Sequence, residues 1–249
     1  METSEIIAIS ASIGTCVSAI ATLLTVREIS KQRKSSHKPE IAFFRTNIIG
    51  TTDTKQSGEI PNIWKNNPDE QHSCGNFPFL YLHNIGSGAA KDIEISWSFP
   101  IGEVAYETNF ILEQHSENKI LHYENGSLCI NHEHSHSMSL WRNQKNQKID
   151  FLLPVGRDSK AIKIIIPPAY ILATSSFIYA SSISKHFEQL SNIRPLYCTI
   201  NYNDIDNYNS TRYVKINFDI TCAHGNGDKF EAILTPQGIS KNELMDQNP

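Results

Sequence analysis

The sequence predicts a mainly β protein, with an N-terminal transmembrane helix followed by an antiparallel β-sandwich-like domain that carries one packed α-helix at about residues 168–190. Residues 6–26 form a run of 21 residues without a charge. Much of the remaining chain alternates apolar and polar residues with a period of two, which is typical of strands with one buried face. A second uncharged run, residues 164–184, contains Pro167 and Pro168, a pair that favours the end of a strand and the start of a helix.

The first uncharged run is a candidate membrane span. As a helix it would be about 31 Å long, close to the thickness of the hydrocarbon layer. The charged side chains before it, Glu2 and Glu5, are acidic, whereas a basic cluster follows it: Arg27, Lys31, Arg33, Lys34 and Lys38. Basic flanks stay in the cytoplasm, so we expect a short external N-terminus and a cytoplasmic domain. A signal peptide has the opposite order of charges. A buried or interfacial soluble helix is the alternative, although the apolar residues surround the helix instead of forming one stripe.

One face of this helix consists of small residues. Ser10, Gly14, Ser18 and Thr22 recur every four positions. Small residues at this spacing let two helices approach closely in lipid, so the pattern predicts helix self-association. The alternative, with equal weight, is that small residues are simply abundant in this segment.

The rest of the chain predicts about ten short strands. The longest alternation is at 214–222, where Val214, Ile216 and Phe218 are separated by Lys215 and Asn217. Such spacing of short strands is typical of a β-sandwich. The other predicted strands are 41–45, 79–83, 93–99, 110–113, 119–123, 128–140, 148–153, 161–166, 196–202 and 229–234.

Between these strands the sequence predicts one helix and one long loop. In the helix at 168–190, the apolar stripe indicates packing on a sheet, and its members are Leu172, Tyr179, Ile183, Phe187 and Leu190. A second membrane span at 164–184 is the alternative. The polar composition of 50–76 predicts an exposed loop. The predicted organisation is an anchor with a basic juxtamembrane segment (1–38), a cytoplasmic β-domain (39–238) and a polar tail (239–249).

Charge and cysteine content argue against some classes of function and indicate the redox state of the thiols. Residues 39–249 carry 17 basic and 23 acidic residues, a poor balance for binding nucleic acid, which requires clustered positive charge. The five cysteines show no C-x-x-C spacing, and we expect reduced thiols in a cytosolic domain. They are Cys16, Cys74, Cys129, Cys198 and Cys222.

The sharpest chemical motif is a histidine cluster. Residues 131–136 read Asn-His-Glu-His-Ser-His and contain H-E-x-x-H, which forms a zinc protease site only on a helix. The period of two over 128–140 indicates a strand, on which His132 and His136 would be about 13 Å apart, so a protease is not expected. Histidines two apart on a strand, about 6.6 Å from each other, predict a possible zinc site at His132, His134 and His136. The alternative is a surface strand whose histidines hydrogen-bond or titrate.

Other motifs favour turns over chemistry. Gly86 and Gly88 lie between two predicted strands, so no helix N-terminus is offered to phosphate, and we expect a turn. Residues 204–209 lack the glycine and distal glutamate of an EF-hand and predict an Asx turn. We therefore expect no catalytic residue, no cofactor apart from the possible zinc, and no enzymatic activity.

The order of these features resembles a known group of proteins. It comprises the anchor, the strand start Lys38-Pro39-Glu40-Ile41, the turn Asn84-Ile85-Gly86-Ser87-Gly88-Ala89-Ala90, and Ile200-Asn201-Tyr202-Asn203-Asp204 before a long strand. This layout is similar to a broad group of bacterial single-pass, membrane-anchored β-sandwich proteins with an N-x-G-x-G-x-A turn. The resemblance implies a location in the bacterial inner membrane, and it carries over no catalytic residue. Some proteins of similar layout belong to anti-phage defence systems.

Three hypotheses about function follow. The first is a non-enzymatic, membrane-anchored binding or scaffold module that presents its domain to a protein partner, to a second copy of itself or to a small ligand. The second is a membrane effector or accessory protein of an anti-phage system that acts by helix clustering. The third is a metal-dependent hydrolase that uses the histidine cluster.

Overall fold

The computed structural model describes residues 3–52, 60–66, 77–115, 117–132, 135–156, 160–185, 187–224 and 229–246. It confirms a mainly β, antiparallel fold behind an apolar N-terminal helix. The helices are α1 (Thr3–Ser36), α2 (Ile101–Gln114), α3 (Trp141–Gln144), α4 (Pro168–Ile183) and α5 (Lys241–Asp246), with a 3-10 helix at Phe187–Asn192. The strands are β1 (Ile41–Phe43), β2 (Thr46–Thr52), β3 (Pro61–Lys65), β4 (Phe79–Asn84), β5 (Ala90–Ser98), β6 (Leu121–Glu124), β7 (Ser127–His132), β8 (Ser135–Leu140), β9 (Asn146–Leu152), β10 (Ile162–Ile165), β11 (Leu196–Asn203), β12 (Asn209–His224) and β13 (Lys229–Ile239).

A seven-stranded antiparallel sheet in the order β3-β2-β13-β12-β11-β5-β9 is the centre of the domain. On β12 the side chains of Val214, Ile216 and Phe218 are buried, whereas Lys215 and Asn217 between them are partly exposed. The alternation in the sequence therefore correctly predicted which residues face the core.

Two layers cover the buried face of this sheet. The three-stranded sheet β1-β4-β10 packs over one part, and its Phe43 stacks on Trp97 of β5 with ring centroids 6.3 Å apart. Helix α4 covers another part, where Tyr170 meets Phe218 with centroids 6.4 Å apart. Helix α4 also contacts α2 and a third sheet, β6-β7-β8.

The prediction of an exposed loop over residues 50–76 was wrong in part. Strand β2 extends through Thr52, and β3 forms the edge of the large sheet. Trp64 of β3 is fully buried, and its indole N–H donates a hydrogen bond to Ser175 Oγ of α4 at 2.9 Å. A Cβ on Gly50 would lie 2.6 Å from the Trp64 ring, so this glycine makes room for the indole. One large aromatic side chain thus outweighs the surrounding turn-forming residues.

Two further assignments differ from the prediction. Residues 110–113, expected as a strand, lie within α2, because Ile101, Val104, Ala105, Thr108 and Leu112 repeat at helical spacing and are buried. Helix α4 ends at Ile183, and the 3-10 helix completes the predicted 168–190 segment. Helix α4 is also buried on almost all sides, so the predicted single stripe was wrong. A second membrane span is not favoured, because α4 has 16 residues and lies in the core.

The predicted continuous strand over 128–140 is instead a hairpin. Strands β7 and β8 pair antiparallel, with His132 opposite Ser135 and Asn131 opposite His136. The predicted polar tail is also structured in part, since β13 reaches Ile239 and α5 follows it. Alternation alone could not reveal the hairpin, because both arms continue the same period of two across the tip.

Candidate functional site

Helix α1 is an apolar helix that the domain does not cover. Residues Ser12–Gln32 form a 21-residue segment of mean hydropathy 1.3, long and apolar enough to cross a membrane, and none of it is buried. Its large apolar side chains are exposed all around the helix: Ile13, Val17, Ile20, Leu23, Leu24, Val26 and Ile29. Leaving such side chains in water instead of burying them costs roughly 1.5–3 kcal/mol each, so their exposure favours transfer of α1 to an apolar environment.

The small-residue face of α1 is open where the structure describes it. A Cβ added at Gly14 would have no atom within 4 Å. Ser18 and Thr22 line the same shallow surface, and the Thr22 hydroxyl donates to the Ser18 carbonyl oxygen at 2.8 Å. A hydroxyl bonded within its own helix can face lipid without an unpaired donor. The Ser10 side chain lies outside the described part of the chain, and association through this face stays a prediction.

A clamp fixes the point where α1 meets the domain, and its centre is the buried side chain of Asn84, which is 1% exposed. Asn84 Oδ1 accepts hydrogen bonds from the backbone N–H groups of Glu40 and Gly86, both at 3.1 Å. Asn84 Nδ2 donates to the carbonyl oxygens of Gly88 at 2.7 Å and Leu152 at 3.1 Å. One amide therefore joins Glu40, four residues after the end of α1, to the end of β4, the following turn and the end of β9.

The two glycines of the turn allow close backbone contact with this junction. A Cβ on Gly86 would lie 2.3 Å from the Lys38 carbonyl oxygen, and one on Gly88 would lie 1.7 Å from the His37 carbonyl oxygen. Neither glycine has a positive φ. The sequence correctly predicted a glycine turn here. Glycine is needed at these two positions because the chain that leaves α1 passes too close for a Cβ, and not because the backbone is left-handed.

Further contacts hold the same junction. The Ile85 N–H donates to the Glu40 carbonyl oxygen at 2.7 Å, and the exposed Glu40 carboxylate pairs with Arg212 at 2.9 Å. Beside this pair a groove of about 480 Å³ runs between β1 and the neighbouring ends of β12 and β13, with Tyr213 and Gln237 in its lining. The junction and the groove thus share Glu40 and Arg212, so a molecule bound in the groove would touch residues at the point where α1 joins the domain.

Two residues of the histidine cluster, His132 and His136, lie where β7 ends and β8 begins. His132 and His136 are strand residues, so H-E-x-x-H does not lie on a helix. Glu133 and His134 lie outside the described residues, and the metal prediction for His132, His134 and His136 stays a prediction. Within the residues that the structure describes, no three His, Cys, Asp or Glu side chains are grouped to hold a metal ion.

The described cysteines are all free thiols, and one of them is deeply buried. Burial raises the pKa of the Cys198 thiol far above its ordinary value. Because only the thiolate is a good nucleophile, burial in the core disfavours a nucleophilic role for Cys198. Cys74 lies outside the described part of the chain.

Comparisons with protein-family models, with curated proteins and with solved structures give no match for this chain. The features of this chain that bear on function are therefore α1, the clamp and the groove. The clamp was missed in the sequence. The available signal was an asparagine directly before a G-x-G turn between two strands, combined with a chain that resumes a strand soon after the anchor.

Proposed function

We propose that this chain is a non-enzymatic, single-pass membrane-anchored binding or scaffold module that holds its β-domain at the cytoplasmic face of a bacterial inner membrane. The observation that carries the proposal is the Asn84 clamp: α1 is exposed and apolar, and the chain is locked to the domain at Glu40, soon after the helix ends at Ser36. A domain held this closely keeps one orientation relative to its anchor, which suits presentation of a binding surface. The basic residues after the span support the cytoplasmic side.

Membrane anchoring is tested on the full chain with a C-terminal tag, expressed in bacteria. We expect the protein to stay in the membrane pellet during alkaline carbonate extraction. We also expect the tag to be protected from protease in spheroplasts and digested in inverted vesicles. Release by carbonate would refute the anchor, and digestion of the tag in spheroplasts would refute the proposed side.

Binding is tested at the groove beside the junction. A photo-crosslinking amino acid at Gln237, which is exposed in the groove lining, reports what docks there in intact cells. The matched control places the same group at Lys148, an exposed residue of β9. A discrete adduct at Gln237 that is absent at Lys148 supports a binding module. Equal labelling at both positions, or none, contradicts binding at this groove.

A second candidate function is a membrane effector of an anti-phage system that acts by helix clustering. The observation that favours it is the open small-residue face of α1 around Gly14. Gly14→Leu places a large side chain on this face and should abolish oligomers in membranes, because close helix approach needs small residues. Ser12→Leu, about 160° around the helix from Gly14, is the control and should leave oligomers intact. Unchanged crosslinking of Gly14→Leu would contradict helix clustering.

A further inference from the structure

Three turns lie at the end of the domain from which α1 emerges. The register places them together, because Ile41 pairs with Asn84, Ala90 with Leu152, and Lys91 with Asn203. The chain that leaves α1 thus enters the domain beside the turn 85–89, the segment 153–156 and the turn 204–208. We call this surface the anchor end.

The anchor end carries exposed apolar side chains in all three turns. Each of the five is 51–62% exposed: Ile85, Leu153, Val155, Ile205 and Tyr208. Turns at a protein surface are ordinarily built from small and polar residues. A group of large apolar side chains from separate turns, all at one end of a domain, marks an interaction surface.

Hydrogen bonds hold these turns in place. The Val155 N–H donates to the Asn84 carbonyl oxygen at 2.8 Å, which fixes the 153–156 segment to the clamp. In the 204–208 turn the Tyr208 N–H donates to Asp204 Oδ1 at 2.8 Å, and Lys91 Nζ donates to the Ile205 carbonyl oxygen at 3.4 Å. The apolar surface is therefore formed before anything binds to it.

The length of α1 places the anchor end close to the membrane. The helix ends at Ser36, four residues beyond the apolar segment Ser12–Gln32 and ten beyond residue 26, where the uncharged run ends. At about 1.5 Å per residue, the helix rises only about 6–15 Å above the hydrocarbon edge. The headgroup layer on each side is about 5–7 Å thick, so the position of the end of α1 ranges from within this layer to about 10 Å above it, and the anchor end is the part of the domain nearest the bilayer.

We propose that the anchor end rests on the bilayer that contains α1, with these five apolar side chains in the interfacial layer. This inference depends on the proposed membrane anchoring. Apolar burial holds the contact, since Asp204 and Asp206 in the same turn oppose attraction to anionic lipid. Tyr208 is suited to this layer, because its ring is apolar and its hydroxyl polar. The anchor end thereby fixes the tilt of the domain relative to the bilayer.

Quenching of tryptophan by brominated lipid tests this contact on the full chain. Leu153→Trp and Ile205→Trp place a reporter at the anchor end. Tyr106→Trp is the control, because Tyr106 is an exposed residue of α2, a helix that begins near the other end of β5. The native Trp64, Trp97 and Trp141 are buried in the core, so they give a constant background. The variants are reconstituted in phosphatidylcholine vesicles with and without bromine on the acyl chains, and flotation verifies anchoring in each sample.

We expect bromine to remove emission at positions 153 and 205 and to leave position 106 unchanged. A protein that floats with its vesicles and shows equal quenching at all three positions would overturn the contact while leaving the anchor intact. A protein that fails to float would refute the anchoring itself. Tryptophan emission at 153 and 205 that changes with the protein-to-lipid ratio but is not quenched by bromine would also overturn the proposal, because it would assign this surface to contact with a second copy of the chain.

Discussion

Asn84→Ala is the most direct test of the clamp. The substitution removes an amide that makes four hydrogen bonds: two accepted from Glu40 and Gly86, and two donated to Gly88 and Leu152. A typical intramolecular hydrogen bond contributes about 1 kcal/mol net, and a buried group left without a partner costs more, so the expected loss of unfolding free energy is about 4 kcal/mol. Because the side chain is buried, bulk water does not readily replace these bonds.

The measurement is equilibrium urea unfolding of the detergent-solubilised full chain, followed by near-ultraviolet circular dichroism. Helix α1 contains no aromatic residue, so the signal reports the domain alone. Asn217→Ala on the partly exposed face of β12 is the matched control, and it should change the free energy of unfolding by no more than about 0.5 kcal/mol. A loss below about 1 kcal/mol for Asn84→Ala would refute the assignment of Asn84 as the centre of the clamp.

Three further predictions concern the turn, the histidine cluster and acid sensitivity. Gly88→Ala should destabilise the domain and expose the junction to limited proteolysis, because the added Cβ would overlap the His37 carbonyl oxygen. Gly238→Ala is the control, since no atom lies within 4 Å of its added Cβ, and it should leave the cleavage rate unchanged. Equal cleavage of the two variants would contradict this prediction. A zinc site at residues 132–136 requires one equivalent of zinc that survives dialysis, and trace amounts by mass spectrometry would end that prediction. Burial lowers the pKa of His83, so the unfolded chain binds a proton at this residue before the folded chain does. Stability should therefore fall as the pH drops from about 6.5, the ordinary value, through the lower pKa of the folded state. An NMR titration of His83 with a midpoint at or above the ordinary value would disprove this.

The sequence predicted the fold where the signal was spread over many residues. The alternation at Val214, Ile216 and Phe218 specified a strand and its buried face, because each side chain repeats the same information. It failed where one residue decided the outcome. Trp64 is buried and holds β3 at the edge of the large sheet, although the surrounding residues 50–76 are mostly polar. Its hydrogen-bond partner, Ser175, is distant in the chain, so the sequence around Trp64 does not reveal this contact.

The candidate site divides in the same way. The exposed apolar helix could be predicted, because lack of charge over a membrane-spanning length is a local property. The clamp could not be predicted, because Asn84 and Glu40 are joined by a contact 44 residues apart in sequence. The hairpin at the histidine cluster was missed for another reason: the register of two strands is set by pairing, and alternation alone does not show where a chain reverses.

The direct connection between α1 and the domain has a consequence for any assembly of this protein. Without a flexible linker, the azimuth of the anchor about its own axis is coupled to the direction in which the groove beside Arg212 points. If two anchors meet through the Gly14 face, that contact also sets the angle between their domains. One residue inserted into α1 after the apolar segment would turn each domain by about 100°, whereas an insertion of seven residues would restore the original phase to within about 20°. The number of residues in α1 after the apolar segment would then set the angle between the two domains of a dimer, and single-residue insertions would change that angle in steps of about 100°.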